Sequence, residues 1–164
     1  MKRALIAVLV VVAVAAPSAV AKLPLHGTLV AGRSLGGVAL GATAARVRSS
    51  LGRGFGVCDG CAETTWYYNY VKFSQPGLAV QFRSGRVDAV YTLWQPQGWR
   101  SDRGVRLGQP ATTAFTAYHG LVSRACGGYS ALVLSGRGAT TIFYVVDDKL
   151  WGFALQRPQV GVCR

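Results

Sequence analysis

Acidic residues are scarce in this chain: 164 residues hold 6 Asp or Glu against 18 Lys or Arg, a formal charge of +12 with His neutral. That balance excludes an acidic disordered tail. Histidine is rarer still, with His26 and His119 alone, and charged residues make up only 15% of the sequence. Beyond the N-terminal stretch no run approaches the ~20 apolar residues that span a bilayer. The glycine cluster Gly136-Arg137-Gly138 lacks the Lys and the strand-to-helix setting of a phosphate loop. What is present is core-forming material. The chain is 51% hydrophobic, with 4 Trp, 7 Tyr and 6 Phe, too rich for intrinsic disorder. Its length suits one ordinary domain or two small units sharing a core.

The N-terminus reads as a secretory signal peptide over residues 1–21. Met1-Lys2-Arg3 is a cationic start, Ala4 to Ala16 an apolar run, and Pro17-Ser18 a break; Ala19-Val20-Ala21 offers small residues for cleavage before Lys22. Loss of Lys2 and Arg3 lowers the formal charge from +12 to +10. A membrane anchor is the rival reading, and the run is short for it. No Cys stands near the cleavage site, so a lipid-anchored form is not indicated. The expected location is secreted or extracytoplasmic.

An oxidising compartment turns four cysteines into two expected bridges. Cys58 and Cys61, in Cys-Asp-Gly-Cys, would close a tight loop; Cys126 and Cys163 would form the second pair. Two other connectivities remain open on sequence alone. A redox Cys-x-x-Cys site would open a helix, yet the strand-like Thr64 to Tyr68 follows. A zinc knuckle would need a second close pair, and Cys126 and Cys163 stand far apart. Neither metal nor cofactor is expected.

Gly37-Val38-Ala39-Leu40-Gly41 returns as Gly104-Val105-Arg106-Leu107-Gly108. Each copy precedes a short amphipathic segment: Thr43 as N-cap with Ala44, Val47 and Leu51 ending at Gly52, then Pro110 to Tyr118 ending at Gly120. Strand patterns follow in both halves: 64–73, 78–83 and 86–94, then 129–134, 140–146 and 149–156, with turns at Ser84-Gly85 and Asp147-Asp148. The expectation is an α+β protein of two tandem degenerate repeats, each a helix plus a three-stranded antiparallel sheet, stapled by disulfides. Its parts are an N-terminal extension 22–35, a first repeat 36–94, a linker 95–103 and a second repeat 104–164. The Gly-Val-x-Leu-Gly element, the helix ending in Leu51-Gly52 and the three-stranded meander resemble the unit of the SmpA/OmlA outer-membrane assembly lipoproteins. The β-lactamase inhibitor proteins, which carry that unit in tandem, are similar in the same way. The resemblance implies a secreted, non-enzymatic binding module. The chain departs from it in lacking a lipid-attachment Cys and in its cationic hairpin tip Arg83-Ser84-Gly85-Arg86, so it transfers no site residue.

No catalytic residue is expected. His119 precedes Gly120 at a helix end, where an imidazole near the last carbonyls is a structural choice, and no nucleophile elbow accompanies it. Asp147 and Asp148 suit a solvated turn better than paired-carboxylate chemistry. The functional lead is positive charge. Arg83, Arg86, Arg100, Arg103 and Arg106, interleaved with Trp94 and Trp99, suit an acidic protein or an anionic envelope polymer, with nucleic acid disfavoured for want of a motif. Trp66, Tyr68 and Tyr70 share one strand face and join this candidate surface if exposed; the competing reading places them in the core. A secreted hydrolase inhibitor and an enzyme of unrecognised type are the alternatives.

Overall fold

The computed structural model describes residues 26–68, 77–93 and 95–164. The expected signal segment, Tyr70 and Trp94 therefore lie outside the described residues. In chain order the elements are β1 (Gly27–Val30), β2 (Ser34–Leu35), β3 (Val38–Ala39), α1 (Ala44–Leu51), β4 (Phe55–Val57), β5 (Thr65–Tyr68), β6 (Gly77–Arg83) and β7 (Arg86–Leu93). They continue as β8 (Trp99–Ser101), α2 (Thr112–Ala117), β9 (Val122–Ala125), β10 (Ser130–Ser135), β11 (Thr140–Val146) and β12 (Lys149–Gln156).

The α+β expectation is corrected by this element list. The protein is mostly β: among the described residues, twelve strands form a four-stranded sheet, β3-β2-β1-β8, and an eight-stranded sheet, β4-β5-β6-β7-β12-β11-β10-β9. The two helices have only eight and six residues, so they cover parts of a sheet rather than balancing one. Segments read as extension, cysteine loop and connector contribute β1, β2, β4, β8 and β9. Such strands of two to four residues are too short to show a period-2 pattern.

Local chemistry explains the elements that were legible. Thr43 Oγ1 accepts from the Arg46 N–H at 3.3 Å and starts α1; Gly52, at φ 87°, ends it with its N–H on the Arg48 carbonyl. Both long hairpins turn on two residues of positive φ, Ser84 and Gly85 at 49° and 72°, and Asp147 and Asp148 at 47° and 58°. That is the geometry whose twist matches paired strands.

One large core lies between the sheets. Leu29, Leu35, Val38, Trp99 and Val105 from the four-stranded side meet Leu78, Val80, Val90, Phe143, Phe153 and Leu155 from one face of the eight-stranded sheet. Val47 and Leu51 of α1 and Ala114 of α2 complete it. On the opposite face Ala131, Ile142, Tyr144 and Ala154 form a smaller cluster. Residues 157–164 lie against that face: Tyr144 Oη donates to the Val162 carbonyl at 3.0 Å, and buried Gln156 donates through Nε2 to the carbonyls of Val160 and Gly161. The Arg164 guanidinium sits 3.9 Å from the Tyr91 ring centroid and donates to Gln156 Oε1 at 2.9 Å. The cysteines pair as expected. Cys58–Cys61 closes the β4–β5 loop with Cα atoms 5.7 Å apart, and Cys126–Cys163 ties the end of β9 to this last segment at 5.3 Å.

Candidate functional site

The segment 95–103 builds the strongest candidate site. Ser101 N–H donates to the Val105 carbonyl at 2.7 Å, and Gly104 N–H to the Ser101 carbonyl at 3.0 Å, so the chain doubles back immediately after β8. Ser101 Oγ accepts from the N–H groups of Arg103 and Val105 and fixes the turn. Arg100 consequently faces Arg106 across an antiparallel bridge. On its other side β8 runs parallel to β1, in the register Gly27 with Trp99, Thr28 with Arg100 and Leu29 with Ser101. Strand alternation sends Trp99 and Ser101 inward with Leu29 and leaves Thr28 and Arg100 outside.

Trp99 is the floor of this arrangement rather than a recognition ring. It is 2% exposed, and it fits because its neighbours have no side chain. A Cβ on Gly27 would stand 2.4 Å from the indole Cζ3, and one on Gly36 2.9 Å from Cη2. Above it opens a groove of about 860 Å3 lined by His26, Thr28, Ser50, Gln97, Arg100 and Arg106, among others, with no Asp or Glu among its described residues.

The five arginines expected to act together separate into two kinds. Arg83 meets Glu63 at 3.3 Å and the buried carboxylate of Asp88 at 3.1 Å. Arg86 Nη1 donates to the Gly41 carbonyl at 3.3 Å. Arg103 Nη1 donates to the Ala117 carbonyl at 2.6 Å, with the guanidinium 4.7 Å from the Tyr118 ring centroid. It closes the end of α2 beside a Tyr118–Asp102 hydrogen bond. These three are structural struts. Arg100 and Arg106 are different: neither guanidinium has a hydrogen-bond or ion-pair partner among the described residues, and both line the groove. Like charges directly opposite on paired strands repel, so this pair carries an electrostatic cost that a bound anion would offset.

The aromatic part of the expected surface is corrected. Trp66 and Tyr68 are 8% and 1% exposed and belong to the main core, where Trp66 stacks on Phe55 at 3.9 Å and tilts against Phe82. With Trp99 also buried, none of the described tryptophans and tyrosines of that surface is offered to a partner. His26 and Ser50 were not anticipated at the groove. Only its walls bring them to Arg100, and no spacing in the sequence signals that. His119 is exposed just after α2 and does not line the groove.

No family model matches the chain, and no curated protein matches it. Among solved structures it is similar to a DUF4309 family protein (YjgB) from Bacillus subtilis subsp. subtilis str. 168. That likeness is 12% identical, covers 71% of this chain and 78% of the other, and has a TM-score of 0.46. That protein is neither an assembly lipoprotein nor a β-lactamase inhibitor.

Proposed function

We propose that this protein is a secreted, non-enzymatic binding module that takes an acidic partner, a protein surface or an anionic envelope polymer, in the Arg100/Arg106 groove. The observation that carries this reading is the pair of partnerless guanidiniums held opposite each other in a groove without a carboxylate. Guanidinium forks bind carboxylate, sulfate and phosphate groups with two aligned hydrogen bonds each. The two disulfides accord with an oxidising location, and no helix among the described residues is long and apolar enough to cross a membrane.

Retention on a heparin column, developed with increasing salt, tests the groove. Arg100→Ala/Arg106→Ala should elute at clearly lower salt than the wild-type chain, because fewer counterions are displaced on binding. Arg46→Ala/Arg124→Ala, which removes equal charge from exposed positions outside the groove, should elute close to wild type. Equal losses in the two variants would reduce the effect to net charge, and unchanged retention of the first would make this the wrong surface.

A further inference from the structure

A second concentration of positive charge lies where three turns meet, away from the Arg100/Arg106 groove. Arg33, in the β1–β2 turn, Arg137, in the β10–β11 turn, and Arg157, just after β12, line one cleft of about 310 Å3. None of them lines the first groove, and none has a side-chain hydrogen bond or ion pair among the described residues. No Asp or Glu and no aromatic residue is among the described residues lining this cleft.

The backbone holds the three turns in place without help from the arginines. Gly32 N–H donates at 2.9 Å to Oγ1 of Thr141, a buried residue of β11, which ties the first turn to the large sheet. Gly136 N–H donates to the Ala139 carbonyl at 2.9 Å and closes the second. Arg157 N–H donates to the Asp88 carbonyl at 2.9 Å. Its guanidinium lies over Gly41, where a Cβ would stand 3.2 Å from Nη2; that glycine, at φ 77°, leaves the space the side chain uses. Three arginines thus line one cleft on anchored backbone.

We propose that this cleft is a binding site for a small, multiply charged tetrahedral oxyanion, a phosphate or sulfate group. Three guanidinium forks match the several oxygens of such a group better than the two of a carboxylate. The volume is at the small end of ligand sites, and without an aromatic wall the cleft offers nothing on which a sugar ring or base would stack. The group reaches the cleft either as the free anion or as an ester on a larger molecule.

Calorimetric titration of the whole chain in a low-salt chloride buffer tests the proposal, with inorganic phosphate, inorganic sulfate and glycerol phosphate as probes. At least one probe should bind saturably with one-to-one stoichiometry. Arg137→Ala should weaken that binding at least about tenfold, and Arg33→Ala/Arg137→Ala/Arg157→Ala should abolish it. Arg46→Ala/Arg124→Ala, which removes exposed charge outside both this cleft and the groove, should leave it unchanged. Tighter binding of glycerol phosphate than of phosphate supports the site as a reader of esters; the reverse order supports it as a site for the free anion. Absence of saturable binding by all three probes, or full binding by Arg137→Ala, overturns the proposal. Should the triple variant fail to fold, Arg137→Ala decides, since its side chain is exposed on a turn closed by backbone bonds.

Discussion

Asp88 is the buried acid that the Arg83 strut meets. Its side chain is buried; Oδ1 accepts from Gln159 Nε2 at 3.4 Å, while Oδ2 has a charge contact with Arg83 Nε at 3.1 Å and no aligned hydrogen bond. Removing the cation strands a desolvated carboxylate, which costs more than an exposed ion pair contributes. Arg83→Ala is therefore expected to lower unfolding stability by about 1–3 kcal/mol, read from urea midpoints, even though half of the arginine faces solvent. Arg86→Ala, which removes a bond from an exposed side chain to a carbonyl, should cost well under 1 kcal/mol, roughly the ±0.5 kcal/mol of an ordinary surface change. The sequence shows Arg83 and Arg86 as equals at a hairpin tip. Only folding reveals which of them faces a buried acid, because Glu63 and Asp88 reach Arg83 from different strands and loops. Trp99 teaches the same lesson, since the glycines that admit its indole, Gly27 and Gly36, lie far away along the chain.

At the scale of elements, the disulfides bear unequal loads. Cys126–Cys163 spans 37 positions and Cys58–Cys61 only 3. Loop-closure entropy then predicts a loss of about 4 kcal/mol for Cys126→Ser/Cys163→Ser and about half that or less for Cys58→Ser/Cys61→Ser. Denaturant melts of the two variants check the ratio. Should the variant lacking the long bridge prove the more stable, the docked segment 157–164 would need another account. The elements with local signatures were readable: α1 through Thr43, Gly52 and the spacing of Val47 and Leu51, and the long hairpins through Ser84-Gly85 and Asp147-Asp148. β1, β2, β3 and β8 were not, because two to four residues carry no period and the parallel β1–β8 pairing joins distant segments. The candidate site shared that fate. Arg100 and Arg106 were visible as charges, but the groove that brings them together with His26 and Ser50 exists only in the fold.

Across the whole molecule, buried phenols tie stability to alkaline pH. Burial pushes Tyr68 up to about 12, opposed by Arg48, and pushes Tyr118 up to about 12, aided by its hydrogen bond to Asp102. Tyr91 and Tyr144 are also raised, chiefly by burial and against the nearby Arg164. An unfolded tyrosine ionises near 10, so above that pH the unfolded chain loses protons that the folded one retains. The contribution of these groups is complete below about pH 10 and is lost as pH rises from there through 12. Urea midpoints should hence fall steeply over that window, together with the phenolate absorbance change that accompanies unfolding. A flat profile would mean that the rings ionise without opening the fold.

The eight-stranded sheet is also a clock. Within each half the ladders are long and local, seven residue pairs in β6–β7 and in β11–β12, whereas β7 and β12 share only three. Where that short ladder stops, Thr92 takes over with its side chain, accepting at Oγ1 from the Phe153 N–H at 2.9 Å across a separation of 61 positions. Hairpins of this kind close in about 1–10 μs, while a junction between distant segments waits on a longer chain closure. The two local hairpins are then expected to form before the seam at Thr92 joins them.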